Sequence, residues 1–495
     1  MLLGLRLALR PRLRRLLSAL DDPAVAQQRV LFALTEQLRA TDYGRHLRVR
    51  SPAEFLSRVP VVDYETIEPW LLRQRAQESA VLTAERVLFY EKTSGSTGPA
   101  KYIPYTAALR RTFSRMFAVW AADLLEHGPG FETGQLYMSV SPSFAPAATT
   151  EQHVPIGMND DRDYLDGWLR HAASPLIVYD REAARARDVD SFKRRTAALL
   201  MKARDLEIIS VWSPSFLKVL LDEIARQQGG ALGDFRRLWP RLKLVSCWAA
   251  AAAAPQARAL ARLLPGVMIQ GKGLLATEAP ITVPLIGAPG ALPLVDSVLL
   301  ELEADDGSLV PIHAGELGCE YNIVVSQAGG LYRYRLGDRV RVGARHRNTP
   351  SLDFVGRAGG VSDLVGEKLN ERFVAEALDG VAHGAFVKTL VPVRQPVDHY
   401  VLLVDRLDDD AHALAASVDD RLRRAHHYHH ARELGQLAAP RACVAADAAS
   451  IVANAYASAG PKLGDIKPRA LHTGPVDGAL YALVTAAGTS ERASP

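Results

Sequence analysis

The 495-residue sequence predicts an α/β protein of two domains. We expect a large N-terminal α/β domain with a β-rich section over residues 1–362, and a smaller, mobile α+β C-terminal domain over residues 363–495. Short strand-like runs alternate with helical runs until about residue 294, and strand-like runs separated by Gly or Pro then dominate. After about residue 363 the two kinds of run are mixed again, which indicates the domain boundary.

The individual elements follow from local periodicity. Apolar residues at helical spacing predict a helix over residues 24–45, and others near 370–379 and 411–433. The first twenty residues interleave leucines with five arginines, which predicts an amphipathic helix packed on the domain rather than a signal peptide. The alanine run at 249–254 predicts a tightly packed helix. Strands are predicted at VLFY (87–90), LYMSV (136–140), LKLVSCW (242–248), VMIQ (267–270), FVKTLVPV (386–393) and HYVLLVD (399–405).

Composition excludes several classes of protein. Hydrophobic residues make up 48% and charged residues 23% of the chain, and the net charge is +4, as in an ordinary globular protein. Basic residues form no run of five or six, so no nucleic-acid partner is expected, and no apolar window is long enough to span a membrane. The cysteines Cys247, Cys319 and Cys443 lie far apart, which predicts a reducing cytoplasm and no zinc site. We expect a monomer.

A run of small and hydroxylated residues, Thr93–Gly98, precedes Lys101 in the stretch YEKTSGSTGPAKYIPY. Its backbone N–H groups, hydroxyls and single cation suit a polyanion such as a nucleotide triphosphate. The pattern is not a Walker A motif, because Lys101 is followed by Tyr102 and because Pro104 disfavours a helix there. The run is instead expected to connect two extended segments. A flexible surface turn is the alternative.

A second glycine motif, Gly271–Ala276, fits the dinucleotide pattern G-x-G-x-x-A after a strand. That fingerprint must open a helix, and Pro280 and Pro284 prevent one, so an NAD site is excluded. The segment is then a strand followed by a glycine turn and by Thr277 and Glu278. By itself, the glutamate is as well explained by a structural role.

The third motif is the turn Tyr334–Asp338, at the end of a β-run. An aspartate in that place can accept two hydrogen bonds from the diol of a ribose. It is equally well explained as a residue that caps the turn.

Together and in this order, the motifs resemble the acyl-adenylate-forming superfamily, and most closely the auxin-responsive acyl-acid amido synthetase family in its bacterial form. The resemblance covers most of the chain, from RVLFALTEQLRATDYGRHL through TSGSTGPAKYIPYT, VWSPSFLKVLL, IQGKGLLATE and YRYRLGD to LGDIKP. It implies a two-domain adenylating fold, ATP as a substrate, Mg²⁺ as a cofactor, and as partners a carboxylic acid and an amine, for which an amino acid is expected.

The resemblance also implies roles for individual residues. Lys101, Glu278 and Lys467 are implied to be catalytic, with Glu278 also the ligand of Mg²⁺. Lys467 would reach the site from the C-terminal domain during adenylation, and the domain would then rotate about a hinge near residues 361–366. The residues implied to bind ATP are Thr93, Ser94, Gly95, Ser96 and Thr97 at the phosphates, Ala276, Thr277 and Glu278 beside the adenine and α-phosphate, and Tyr334, Asp338 and Arg357 around the ribose.

The implied activity is an ATP-dependent ligase that converts a carboxylic acid into acyl-AMP and transfers the acyl group to an amine, giving an amide. The loop Thr93–Gly98, which we call the phosphate loop, is one residue shorter than in the plant amido synthetases and is closer to the form found in acyl-CoA ligases. A thioester product is therefore the alternative. A homologue that binds ATP without turnover is a third possibility. Against it, the sequence contains all the charged residues that adenylation needs: Lys101, Glu278, Asp338, Arg357 and Lys467.

Overall fold

The computed structural model confirms the predicted α/β class. It describes residues 1–76, 80–92, 101–139, 148–150, 153–157, 164–165, 167–184, 186, 188–230, 233–357, 361–365, 367–394, 398–408, 410–458, 466, 469–474, 476 and 478–486. Thr93, Ser94, Gly95, Ser96, Thr97 and Lys467 lie outside the described residues, as does the side chain of Arg357. Their predicted roles therefore stay predictions.

Helices and strands alternate along most of the chain. The helices are α1 (Leu2–Asp21), α2 (Pro23–Arg39), α3 (Asp42–His46), α4 (Pro52–Arg58), α5 (Tyr64–Arg75), α6 (Ala107–His127), α7 (Gly167–Ala173), α8 (Arg181–Ala184), α9 (Val189–Lys202), α10 (Pro214–Gln227), α11 (Ala254–Leu263), α12 (Glu371–Ala377), α13 (Ala411–Leu422), α14 (His426–Glu433), α15 (Ala448–Ser458) and α16 (Gly478–Ala486). The strands are β1 (Val87–Lys92), β2 (Tyr102–Thr106), β3 (Gln135–Met138), β4 (Ala148–Thr149), β5 (Pro155–Ile156), β6 (Leu206–Ser210), β7 (Leu244–Cys247), β8 (Met268–Gly271), β9 (Thr282–Pro284), β10 (Ala291–Pro293), β11 (Leu299–Glu303), β12 (Leu309–Pro311), β13 (Glu320–Gln327), β14 (Leu331–His346), β15 (Thr349–Arg357), β16 (Val361–Ser362), β17 (Leu369–Asn370), β18 (Lys388–Val393), β19 (His399–Val404) and β20 (Arg441–Val444).

A parallel sheet of order β3-β6-β7-β8 forms one half of the large N-terminal region. Every residue of β6 and β7 is buried, as expected for parallel strands covered on both faces. Ligands of such sheets bind beyond the carboxyl ends of the strands. A ligand site is therefore expected at the residues that follow β7 and β8.

An antiparallel sheet of order β12-β11-β13-β14-β15-β10-β9 forms the other half and accounts for the β-rich section predicted from residue 294 onward. A smaller sheet, of order β2-β1-β5-β4, begins with the hairpin of β1 and β2. This hairpin confirms that extended segments flank the phosphate loop. No helix starts directly after the loop, in agreement with the exclusion of a Walker A motif.

The N-terminal helix α1 packs on the large region through its leucines, as predicted. Leu9, Leu13, Leu16 and Leu20 are buried at helical spacing, and α1 lies against α6. Among the described residues, no helix is both long enough and apolar enough to cross a bilayer.

Two predicted helices are each interrupted. The helix predicted over 24–45 ends at Arg39, and α3 restarts after Thr41, whose hydroxyl accepts from the amide of Gly44 at 3.0 Å and so caps the new helix. The helix predicted over 411–433 likewise divides into α13 and α14, with a break at residues 423–425. The prediction for the alanine run was wrong: Ala251–Ala253 form a short 3-10 turn, and α11 begins only at Ala254.

The C-terminal region consists of a three-stranded sheet, of order β18-β19-β20, and of helices α12 to α16. One face of the sheet packs on α12, α13 and α14 through residues such as Leu390 and Leu402. The other face, with Val391 and Leu403, belongs to an apolar cluster that also contains Leu217 of α10, because α15 lies against α10. Apolar packing thus continues across the predicted boundary at residue 362.

A buried ion pair fixes the segment that leads into α5. Arg333 of β14 donates to both carboxylate oxygens of Glu301, at 2.9 and 2.6 Å, and both side chains are 10% exposed. The same guanidinium donates to the carbonyl oxygens of Leu56, at 2.7 Å, and Val59, at 3.2 Å. The chain that precedes Tyr64 is therefore attached to the antiparallel sheet by charge-assisted hydrogen bonds.

Glu301→Gln should lower the free energy of unfolding by about 3 kcal/mol, because it leaves the guanidinium of Arg333 buried without a carboxylate. The measurement is urea unfolding. Asp305→Asn is the matched control: it breaks the 2.6 Å pair of Asp305 with Arg339 in the same sheet, where the carboxylate is exposed, and should leave stability nearly unchanged. Equal losses in the two variants would contradict the structural role given to Arg333.

Candidate active site

A cavity of about 1220 Å³ lies between the large N-terminal region and the C-terminal region. We call it the central cavity. Its walls come from the start of α5, the residues after β7 and β8, residues 334–337 of β14, and α12 with the start of β18. The position beyond the carboxyl ends of β7 and β8 is the one in which α/β proteins bind their ligands.

Lys101 reaches the central cavity directly after the phosphate loop. Its ammonium nitrogen lies 3.8 Å from a carboxylate oxygen of Glu65 and 5.1 Å from the ring centroid of Tyr64. The side chain is 31% exposed, and that of Glu65 is 74% exposed, so this ion pair is open to solvent. An exposed pair of this kind is worth little, and Lys101 can exchange Glu65 for a phosphate group.

The segment Ala276–Glu278 leaves β8 without forming a helix, which confirms the exclusion of a dinucleotide fingerprint. Gly273 has a φ of +72°, and a Cβ there would lie 2.4 Å from the hydroxyl of Thr282. The amide of Ala276 donates to the carbonyl of Ala279 at 3.1 Å, which closes a tight turn. Glu278 is 5% exposed and lines the central cavity.

Tyr105 connects this segment to the hairpin that carries the phosphate loop. Its hydroxyl donates to the carbonyl of Thr277 at 2.6 Å, and its ring stacks on Phe89 and Phe113 at 4.7 and 5.7 Å. Burial raises the pKa of Tyr105 well above its usual range, and the charge of Glu91 raises it further. The hydroxyl therefore keeps its proton and acts as a permanent donor.

The predicted turn at Tyr334–Asp338 was wrong: the segment lies inside the long strand β14, which continues to His346, with Gly337 at a φ of +76°. Tyr334 and Gly337 line the central cavity, and Asp338 is fully buried beside them. In the register of β14 and β15, Asp338 lies opposite Arg357, and Gly356 lines the cavity. The fold thus brings two of the three residues that the resemblance places at the ribose, Asp338 and Arg357, to paired positions on neighbouring strands.

The structure therefore gathers Lys101, Glu278 and Tyr334 around one cavity. The side chains of Ala276 and Thr277 do not line it, and the carbonyl of Thr277 points to Tyr105 instead. Arg469 and Ala470, which follow Lys467 closely in the chain, also line the cavity.

The alanine run is the part of the site that sequence reasoning missed. Ala249, Ala250, Ala251, Ala253 and Ala254 line the central cavity, and a Cβ on Gly271 would lie 3.5 Å from the Cβ of Ala249. Alanine has the highest helix propensity, which favoured the wrong prediction. The available signal was the position of the run, directly after a buried parallel strand.

Ion pairs link α12, and Asp379 two residues beyond its end, to the large region. Arg372 donates to Glu320 at 2.5 Å, and Arg341 of β14 donates to the same carboxylate at 2.8 Å. These arginines lower the pKa of Glu320 although burial opposes them. Beyond the other end of α12, Asp379 lies 3.6 Å from Arg258 of α11. Both pairs lie at the rim of the central cavity.

Comparison with known proteins identifies one family in two parts of the chain. A model of the GH3 family N-terminal domain matches residues 12–219, and a model of the GH3 family central domain matches residues 298–357, together more than half of the chain. Indole-3-acetic acid-amido synthetase GH3.10 of Arabidopsis thaliana is 22% identical to this chain over 399 residues, which cover 66% of this chain and 68% of that protein.

Two solved structures show the same fold. The structure of AtGH3.15 acyl acid amido synthetase in complex with 2,4-DB has a TM-score of 0.81 at 17% identity, and the match covers 97% of this chain and 96% of that one. The structure of 2-hydroxyisobutyryl-CoA ligase in complex with 2-HIB-AMP has a TM-score of 0.57 at 16% identity, covering 94% and 92% of the two chains. The predicted α/β fold is thereby confirmed, with its large N-terminal domain and smaller C-terminal region.

Tyr105→Phe should destabilise the protein by about 1 to 2 kcal/mol, because the partly buried carbonyl of Thr277 loses its donor. Peptides covering residues 274–282 should exchange their amide hydrogens faster, as measured by mass spectrometry. Tyr102→Phe is the matched control on the same strand, since its hydroxyl makes no hydrogen bond to the described residues and its ring keeps the contact with Arg75. Unchanged exchange in Tyr105→Phe would contradict the support given to Thr277.

Proposed function

The chain belongs to the GH3 family, and we propose that it is an AMP-forming acyl-acid amido synthetase. It adenylates a carboxylic acid with ATP and transfers the acyl group to the amine of an amino acid. The observation that carries this proposal is the convergence of Lys101, Glu278 and the β14 segment Tyr334–Asp338 on one cavity. These are three of the motifs that carry the resemblance to acid-adenylating enzymes.

The first half-reaction forms the acyl-adenylate. A carboxylate oxygen of the acid attacks the α-phosphorus of ATP, the bond to the β-phosphate breaks, and pyrophosphate leaves. Catalysis of such a step consists mainly of positioning and of neutralising charge. The N–H groups and hydroxyls of Thr93–Thr97 and the ammonium of Lys101 would restrain the phosphates, while Asp338 and Arg357 would hold the ribose.

Glu278 fits a magnesium ion. Mg²⁺ takes few protein ligands and completes its shell with waters and phosphate oxygens, so one buried carboxylate in the cavity wall is enough. Among the described residues, no group of three or more His, Cys, Asp or Glu side chains offers a fuller metal site. When bound, the ion would neutralise charge on the phosphate oxygens.

Lys467 would supply the remaining cation at the carboxylate and α-phosphate. Its chain neighbours Arg469 and Ala470 line the central cavity, which supports this role. For the second half-reaction, residues 363–495 would rotate as a domain relative to residues 1–362. The ion pairs Arg372–Glu320 and Arg258–Asp379 would separate in that rotation.

The second half-reaction forms the amide. The neutral amine attacks the acyl carbon, AMP leaves with its phosphate oxygen, and the nitrogen loses a proton. The related synthetase from Arabidopsis thaliana is named for an acid–amide product with indole-3-acetic acid. We therefore propose a carboxylic acid and an amino acid as the partners of this chain.

Glu278→Gln keeps the shape of the side chain but removes its charge. Acid-dependent release of pyrophosphate should fall by on the order of a hundredfold, as expected for the loss of a transition-state contact. Glu65→Gln is the matched control, because Glu65 lines the same cavity with an exposed carboxylate. It should change the rate by no more than about twofold. An equal loss in both variants, at unchanged thermal stability, would contradict the role of Glu278.

Identifying the reaction product distinguishes amide synthesis from thioester synthesis. Carboxylic acids that raise the thermal stability with ATP and Mg²⁺ are first selected, since binding stabilises the folded state. The purified enzyme then receives one of these acids with ATP and Mg²⁺, and in parallel each of the twenty amino acids or coenzyme A. Mass spectrometry should detect an acyl–amino acid conjugate. Formation of acyl-CoA without a conjugate of any amino acid would overturn the proposed amide synthesis, while the proposed adenylation would still stand.

A further inference from the structure

A second pocket, of about 350 Å³, lies outside the central cavity and brings four arginines together. Arg12 and Arg15 come from α1, and Arg111 and Arg115 come from α6. Trp168 of α7 completes the wall. We call this site the arginine pocket. None of its lining residues takes part in the proposed adenylation, so an inference about it stands apart from the proposed function.

The negative charge around the arginine pocket is smaller than the positive charge. Asp296, whose side chain is 7% exposed, pairs with Arg115 and also lies 3.9 Å from Arg15. Arg111 lies 3.6 Å from Glu85. Among the described residues, two carboxylates thus form ion pairs with three guanidiniums.

The fourth guanidinium, that of Arg12, contacts no carboxylate of the described residues. It lies 4.8 Å from the ring centroid of Trp168 and donates to the carbonyl of Ala8 at 3.1 Å. A cation over an aromatic face is held in orientation but keeps its charge.

The like charges affect one another. Burial lowers the pKa of Arg115, Asp296 opposes this shift, and the positive charges of Arg15 and Arg12 add to it. Bringing guanidiniums together in this way costs free energy unless an anion lies between them. The side chains of Arg15 and Arg111 are 70% and 61% exposed, so they are free to turn toward such an anion.

We propose that the arginine pocket binds a small phosphate-bearing anion. Guanidinium groups present planar pairs of donors that match phosphate oxygens, and several of them together suit a group with two or more negative charges. The volume is at the lower end of the range for small-molecule sites, which fits a phosphate group with a small substituent. That group belongs either to a soluble phosphate compound or to the headgroup of an anionic lipid.

The lipid source has its own support in the exposed side of α1. Leu3 and Leu7 are 69% and 59% exposed, and Trp168 at the pocket is 46% exposed. Apolar side chains beside arginines are typical of helices that lie on anionic membranes. The experiment therefore has one arm for each source.

The first arm measures the thermal midpoint of the full chain against inorganic phosphate, with chloride keeping the ionic strength constant. The wild type should show a saturable rise. The double variant R12Q/R15Q should bind phosphate about tenfold or more weakly, because charge-assisted hydrogen bonds are lost. R14Q removes a charge from the exposed side of the same helix, outside the pocket, and should respond as the wild type does. Lys101→Ala should also keep the response, because Lys101 belongs to the central cavity. This control distinguishes binding in the arginine pocket from binding of phosphate in the central cavity.

The second arm measures cosedimentation with vesicles of phosphatidylglycerol and, as a control, phosphatidylcholine. A response in either arm that R12Q/R15Q loses and R14Q keeps supports the proposal and identifies the source. Equal responses of wild type and R12Q/R15Q would overturn it. So would an equal loss in R14Q, since the net charge of α1 would then explain binding, and so would the absence of any response in both arms.

Discussion

The hydrogen bond from Tyr105 to Thr277 is the contact on which the site depends most. It joins the β1–β2 hairpin, which carries Lys101, to the segment after β8, which carries Glu278, and these belong to different sheets. The ring of Tyr105 is held by Phe89 and Phe113, so the hydroxyl has little freedom. A cation and a carboxylate that act on one polyphosphate must keep a fixed separation. A fully buried tyrosine that keeps its proton is suited to maintaining it.

The junction of the large and C-terminal regions combines two kinds of interaction. The ion pairs near the two ends of α12 are partly exposed, and pairs of this kind contribute little each. The apolar contact of α15 with α10 is part of a buried cluster and contributes more. A reorientation of the C-terminal region would therefore lose its ion pairs at low cost, whereas the apolar contact sets the larger part of the barrier.

The sequence predicted the parts of the protein that need special residue types. The extended segments on either side of the loop before Lys101 and the non-helical turn into Glu278 could be assigned because glycines, prolines and apolar runs restrict the backbone locally. The turn expected at Asp338 was wrong, because β14 continues through it to His346. The break at Thr41 was missed, since the apolar spacing continues past a capping hydroxyl. The arginine pocket could not be predicted either, because only tertiary packing brings Arg12 close to Arg111 and Trp168. Roles proposed for Thr93–Thr97 and Lys467 rest on the sequence motifs.

The alanine wall of the central cavity has a consequence for the evolution of this enzyme. The turn Ala251–Ala253 packs against α12, and Ala251 and Ala253 present only methyl groups to the cavity, which make no hydrogen bond that the fold requires. Replacing one of these methyl groups by a larger side chain would change the shape of the cavity while leaving Lys101 and Glu278 in place. The backbone and the packing limit such changes, since Ala251 has a φ of +48° and Ala253 is 5% exposed. Within those limits, the shape of the cavity can vary at its alanine wall while the residues proposed for the chemistry stay fixed.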